Sequence, residues 1–157
     1  MTDRKQWKEK EITEITTAVN ALFPETEEGA CPVDVLTKAL KASVVESCGE
    51  CLICREGLYQ LYAQAHSTTQ GNASEDDYNI MIEIADTMAL TSRCDFGKLA
   101  GAKIAGQLKA NDEVFLKHIK RKRCDARVCE KLSDFPEPVE RSEGGLMGGR
   151  RRRRRSE

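Results

Sequence analysis

A chain of 157 residues has room for one domain plus tails. Its 25 basic and 26 acidic residues balance only because Arg150 to Arg155 form a basic run; without residues 150–157 the count is 19 against 25, and so acidic a body is unlike a nucleic-acid-binding surface. Aromatics make up only 5%, so a core must be aliphatic; no apolar stretch reaches the ~18 residues of a membrane span, and no apolar leader follows Met1, which points to a soluble protein of the reducing cytoplasm.

Periodicity reads as helix nearly throughout. Residues 3–22 place Trp7, Ile12, Ile15, Val19 and Leu22 at helical spacing until Phe23-Pro24 stops the run. Pro32 is suited to open a second helix with Val35, Leu36, Ala39 and Leu40 on its apolar face. Cys54, Leu58, Leu61 and Ala65 then share one stripe of a third helix, which ends at a polar loop from Ser67 to Asn72. Ser74-Glu75-Asp76-Asp77 makes an N-cap for a fourth helix through Tyr78, Met81, Ile84, Ala85 and Met88, with Cys94 at its end. A fifth helical stretch runs from about Lys98 to Arg121, with a break near Asn111-Asp112. No stretch reads comparably well as a strand. From Ser133 onward two Pro, four Gly, several charges and the Arg run cannot bury enough apolar surface to fold, which predicts disorder.

The chemistry is concentrated in Cys48-Gly49-Glu50-Cys51-Leu52-Ile53-Cys54, followed forty residues later by Cys94. Cys-x-x-Cys-x-x-Cys lets three thiolates converge on one small object, and a [4Fe–4S] cluster takes three ligands from such a loop and a fourth from elsewhere. Zinc more often takes separated Cys pairs, so a zinc site is the weaker fit, and thiols without metal the weaker still. An odd count of seven cysteines argues against a secreted disulfide framework. Cys54 falls in or beside the first turn of the third helix, where the helix dipole favours the negative charge of a thiolate-bound cluster.

The string Glu46-Ser47-Cys48-Gly49-Glu50-Cys51-Leu52-Ile53-Cys54-Arg55-Glu56-Gly57, with Cys94 at its distance, resembles the iron–sulfur domain of the NADH-binding flavoprotein subunit of respiratory complex I. The same domain occurs in related NAD-dependent hydrogenases and formate dehydrogenases. That family's pattern is Glu-Ser-Cys-Gly-x-Cys-x-Pro-Cys-Arg-x-Gly, and the likeness continues through Leu108-Lys109, Phe115 and His118-Ile119, covering roughly residues 44–119. The resemblance implies that Cys48, Cys51, Cys54 and Cys94 ligate one [4Fe–4S] cluster that takes electrons from a neighbouring flavin. Ile53 replaces the family's Pro, which removes no ligand. The 47 residues ahead of Cys48 hold no glycine-rich phosphate loop, so NADH binding is not expected of this chain alone.

The remaining candidates read more blandly. Cys31 precedes Pro32 and reads as a helix-start residue with no ligand role. Cys124 and Cys129 follow the basic run Lys120 to Arg123; two thiols cannot complete a four-ligand site, which leaves them idle at the surface, a redox pair, or half of a shared site. His66 and His118 are the only histidines, with His118 read as packing or solvated on the closing helix. Arg55 offers a cation beside a cluster ligand; Tyr59 and Tyr62 read as packing. The Arg150–Arg155 run reads either as an inert tail or as a dock for an acidic partner.

The expected protein is therefore all-α: a small helical bundle with a cysteine-rich cluster-binding loop and a disordered C-terminal tail. Its expected parts are an N-terminal helical segment (1–45), a [4Fe–4S]-binding helical domain (46–122) and a tail with the Cys pair and Arg run (123–157). Its expected role is to relay single electrons, without being an enzyme by itself, to or from a flavoprotein or other redox subunit within an NAD(H)- and flavin-linked oxidoreductase complex. No membrane insertion and no nucleic-acid partner are expected. The rival from another class is a zinc-stabilised binding module that docks an acidic partner or nucleic acid through its Arg tail.

Overall fold

A computed structural model describes residues 7–133. The expected disordered tail beyond Ser133, including Arg150 to Arg155, lies outside the described residues. Those described are all-α with no strand among them: a 3₁₀ turn at Trp7–Glu9, then α1 (Ile12–Leu22), α2 (Pro32–Glu46), α3 (Leu52–Thr69), α4 (Glu75–Thr91), α5 (Asp95–Ala110), α6 (Asp112–Arg121) and a short α7 (Glu130–Ser133).

The first expected helix, 3–22, is cut in two. Trp7 stacks face to face on Phe96 at 4.6 Å between ring centroids and donates its indole N–H to the Glu46 carbonyl at 2.7 Å. Those remote anchors take the chain off the helical path, so α1 starts only at Ile12, which faces solvent while Ile15 and Val19 are buried. Pro32 does open α2, where its missing N–H and fixed φ cost nothing. Along that helix Leu36, Ala39 and Leu40 are buried as expected, joined by Val33, Thr37 and Ser43, while Val35 is only half-buried.

Helix α3 overruns its expected end. The Thr68 and Thr69 hydroxyls donate to the carbonyls of Gln64 and His66, so these polar residues satisfy themselves inside the helix rather than forming a loop. The α4 start is a full capping box: the Asp77 N–H reaches the Ser74 hydroxyl at 3.2 Å and the Ser74 N–H reaches the Asp77 carboxylate at 2.7 Å. The break between α5 and α6 falls at Asn111, whose side-chain amide donates to Gln107 at 2.8 Å.

From α2 to α5, packing follows chain order. Helix α3 lies between α2 and α4, α4 packs on α5, and α1 covers α5. The α4–α5 approach is close because Gly101 has no side chain: a Cβ there would come within 2.6 Å of the Ala89 nitrogen and 2.7 Å of the Ala85 oxygen. The core runs through Leu36, Leu58, Leu61, Met81, Met88 and Ile104, but it is not purely aliphatic as expected: Trp7, Phe23, Tyr78, Phe96 and Phe115 are buried in it, because the few aromatics are concentrated inside.

Residues 124–132, read from sequence as part of the tail, pack into this body. Cys124, Cys129 and Leu132 are buried, and the chain turns through left-handed conformations at Lys122 and Arg127 to bring them there. Ligand-type side chains sit at the positions that burial requires, in a stretch whose composition alone reads as surface.

Candidate metal centre

The loop after α2 is shaped by the neighbours of its first cysteine. Buried Ser47 accepts the Gly49 N–H at 3.2 Å, and its hydroxyl lies 3.7 Å from the Cys54 sulfur. Gly49 has φ +72°, a left-handed conformation that favours glycine, and this doubles the chain back after Cys48. Arg55 donates from the first turn of α3 to the Gly49 carbonyl at 3.4 Å, tying that helix to the loop, and also pairs with Glu56. Cys51 is thereby the N-cap of α3 with Cys54 three residues inside, and Cys94 is the N-cap of α5.

All four cysteines are buried, between 2% and 8% exposed. They lie within electrostatic reach of one another. Burial pushes the Cys54 thiol up to about 11, the Ser47 hydroxyl offsets part of this, and negative charge on Cys94, Cys51 and Cys48 would push it further. Cys94 is likewise raised by burial and by Cys48 and Cys51, against the N–H groups of Gly97 and Phe96. Cys51 goes the other way: burial raises it, but the N–H groups of Arg93, Cys54 and Ile53 and the Arg93 charge outweigh this and hold it below the ordinary thiol value. The amides at two helix N-termini thus point at the sulfurs, an arrangement that stabilises negative charge.

This donor set suits an iron–sulfur cluster: soft sulfur ligands, backbone N–H groups aimed at sulfur, and burial. One observation sharpens the fit. Ser92, just ahead of Cys94, is buried, and its hydroxyl oxygen has no partner among the described residues. It lies against the floor of the cage, since a Cβ on Gly97 would meet the Ser92 oxygen at 2.7 Å and the Cys54 Cβ at 3.4 Å. A buried hydroxyl without a partner is costly, and a bound cluster's sulfur would give it an acceptor.

Tyr62 is half-buried against the core, in keeping with its packing reading, whereas Tyr59, read in the same way, is exposed because it lies on the solvent face of α3; His66 is exposed. The reading of the other cysteines needs correction. Cys31, His118, Cys124 and Cys129 are all buried, and their ligand atoms all lie within 4.8 Å of one another. Cys31 sits at the N-cap of α2, His118 in the last turn of α6, and the other two in the segment that follows. The Cys31 sulfur is 3.3 Å from His118 Nε2 and 3.9 Å from the Cys129 sulfur, and Cys129 is 3.7 Å from the same nitrogen. Hydrogen bonding from Cys129 holds the Cys31 thiol well below its ordinary value despite burial, helped by His118. Cys31 starts α2 as expected but also lies against His118 and Cys129, His118 is packed rather than solvated, and Cys124 and Cys129 are buried rather than at the surface. Sequence reasoning missed the group because its members come from three separated segments with no ligand spacing shared among them.

No described helix is long and apolar enough to cross a membrane. The family model for the NADH-ubiquinone oxidoreductase-F iron-sulfur binding region matches residues 34–118, more than half of the chain and all but the first two residues of α2. The chain is 32% identical over 98 residues to the F subunit of the NADH-quinone oxidoreductase of Streptomyces coelicolor, covering 62% of this chain and 22% of that protein. It is 26% identical over 109 residues to the NADP-reducing hydrogenase subunit HndC of Solidesulfovibrio fructosivorans, covering 69% and 22%. The F subunit of the Mycobacterium tuberculosis NADH-quinone oxidoreductase is 27% identical over 103 residues, covering 66% and 22%. The chain thus spans about a fifth of the length of these curated relatives. With the cysteine cage where that family model falls, the chain belongs to the family of the NADH-ubiquinone oxidoreductase-F iron-sulfur binding region, a [4Fe–4S]-binding domain.

Proposed function

We propose that Cys48, Cys51, Cys54 and Cys94 ligate a single [4Fe–4S] cluster and that the chain relays single electrons through it within an NAD(H)- and flavin-linked oxidoreductase complex. The observation that carries this reading is the gathering of four buried thiols at the N-termini of α3 and α5. When bound, such a cluster takes up and gives back one electron at a time. The residues of the chain set the conditions for that exchange. Backbone N–H groups around Cys51 and Cys94 offset negative charge, the Ser47 and Ser92 hydroxyls supply further donors, and Trp7 stacked on Phe96 packs over the start of α5.

Leu52 and Ile53 stand exposed between Cys51 and Cys54, at 60% and 39%. They form the apolar rim through which a flavoprotein or another redox protein approaches the ligands most closely. Dinucleotide chemistry belongs to that partner, so the chain is a relay and not an enzyme by itself, working in the cytoplasm.

Iron and sulfide analysis after anaerobic preparation tests the reading. About four iron and about four sulfide per chain are expected, with a paramagnetic signal on chemical reduction. NADH alone should leave the cluster oxidised, and NADH with a flavoprotein partner should reduce it. Protein that holds no iron when prepared anaerobically overturns the cluster assignment; reduction by NADH in the absence of any flavin overturns the relay role.

A further inference from the structure

We propose that Cys31, His118, Cys124 and Cys129 form a second metal site, a closed structural zinc centre that fastens the segment after α6 to the start of α2.

The distances are those of a tetrahedron around one ion. Zinc–sulfur bonds of about 2.3 Å and zinc–nitrogen bonds of about 2.0–2.1 Å put tetrahedral ligand atoms about 3.8 Å apart for two sulfurs and about 3.5 Å apart for sulfur and nitrogen. Cys31 and Cys129 are 3.9 Å apart, and their sulfurs lie 3.3 and 3.7 Å from His118 Nε2. Cys124 completes the set within the 4.8 Å that spans all four atoms. A disulfide between Cys31 and Cys129 would need about 2.05 Å between the sulfurs. A cuboidal cluster would need its ligands farther apart, each on its own corner.

The imidazole is oriented for coordination. His118 Nδ1 lies 2.8 Å from the Val114 carbonyl. A carbonyl only accepts, so Nδ1 carries a proton; with zinc bound the ring would be neutral and Nε2, which already faces the sulfurs of Cys31 and Cys129, would be the ligand atom. Metal-bound histidines almost always donate their other N–H in this way, which fixes the tautomer and the ring plane. Three thiolates and one imidazole are a common structural zinc set. Exposure of 1% to 3% for all four side chains leaves no open position for water or substrate, which separates this site from a catalytic zinc and from an exposed Cys–His nucleophile.

The site also accounts for a local anomaly. Lys122 and Arg127 are non-glycine residues at φ +50° and +54°, conformations that cost free energy unless something over-determines them. They flank Cys124 on either side and turn both sulfurs inward. Beyond Cys129, Leu132 is buried, lying against the backbone at Gly71 just past the end of α3. Zinc here clamps α2, α6 and α7 together at the end of the bundle away from the cysteine cage.

The test is metal analysis of the full chain prepared anaerobically from zinc-supplemented cells. About one zinc per chain is expected, independent of iron content. Zinc K-edge X-ray absorption of the unaltered protein should give three sulfurs at about 2.3 Å and one nitrogen at about 2.0–2.1 Å. H118A and C129S should lower zinc at least about tenfold, as loss of a ligand to a structural site does, while iron is retained. Should those variants fail to fold, the absorption spectrum of the unaltered protein still decides. Zinc below about a tenth per chain, or a shell of four sulfurs showing zinc in the other cage, overturns the site. Missing iron with zinc at full occupancy would instead count against the electron-relay reading and leave this one standing.

Discussion

Helix α2 has a cysteine site at each end, and the two ends are built to opposite specifications. At its C-terminal end, Cys48, Cys51, Cys54 and Cys94 surround the N-termini of α3 and α5, with exposed Leu52 and Ile53 at the rim. At its N-terminal end, Cys31, His118, Cys124 and Cys129 close on one point with all four side chains buried. Fifteen helical residues hold the two about 22 Å apart. The first end draws all its donors as sulfur and aims amides at them, which suits a group whose charge changes. The second mixes imidazole with thiols at contact distance, which suits an ion whose charge does not. On the two proposals made above, one short domain would separate an electron site from a fastening.

The largest expected effect comes from breaking the first end alone. Cys94→Ala removes the ligand that α5 contributes, and iron should fall from about four per chain to less than about one, with zinc unchanged. Cys31→Ala should do the reverse. Iron retained at full content without Cys94 would show that three loop ligands suffice and that Cys94 has been misassigned.

Breaking the second end should cost stability rather than redox function. A structural metal contributes folding free energy directly, so stripping zinc with a chelator should lower the melting temperature by on the order of 10 °C. Amide exchange should speed up in residues 124–132 and stay slow around Cys48 to Cys54. Equal loss of protection at both ends would mean that the domain unfolds as one unit and that the ends are not independent.

What could be read in the sequence differs between the ends for a physical reason. Three of the four proposed ligands of the first site fall within seven residues, and the spacing itself points to the chemistry. The helices could be read as well: Pro32, Ser74 and Asn111 mark boundaries through local backbone chemistry, and the structure puts boundaries there. The second site could not. Cys31 is 87 residues from His118 and 98 from Cys129, and only the folded bundle brings them together. The split of the first helix was hidden in the same way, since the stacking of Trp7 on Phe96 is a long-range contact that overrides local periodicity.

A smaller effect is expected where α5 approaches the cage. Gly97→Ala would place a Cβ 2.7 Å from the Ser92 side chain, and accommodating it should cost about 1–3 kcal/mol and lower cluster occupancy. Gly106→Ala, on the same helix with open space around it, should instead stabilise by about 0.5–1 kcal/mol through helix propensity. Thermal melts and iron content of the two variants check this pair. Zinc should remain bound in both.

The smallest change concerns the redox potential. Ser92 is buried, its oxygen has no partner among the described residues, and it lies beside Gly97 and Cys54. If its hydroxyl donates to a sulfur of the bound cluster, it favours the reduced state, which carries more negative charge. Ser92→Ala should then make the potential more negative by a few tens of mV, since a difference of about 1 kcal/mol in a one-electron couple is about 40 mV. Iron content should not change, because no ligand is lost. In the cluster-free protein the same substitution should be neutral or slightly stabilising, because it removes a buried hydroxyl that lacks a partner. A potential that does not move would show that the hydroxyl points away from the cluster, and that amides and ligands alone set the potential at this end of α2.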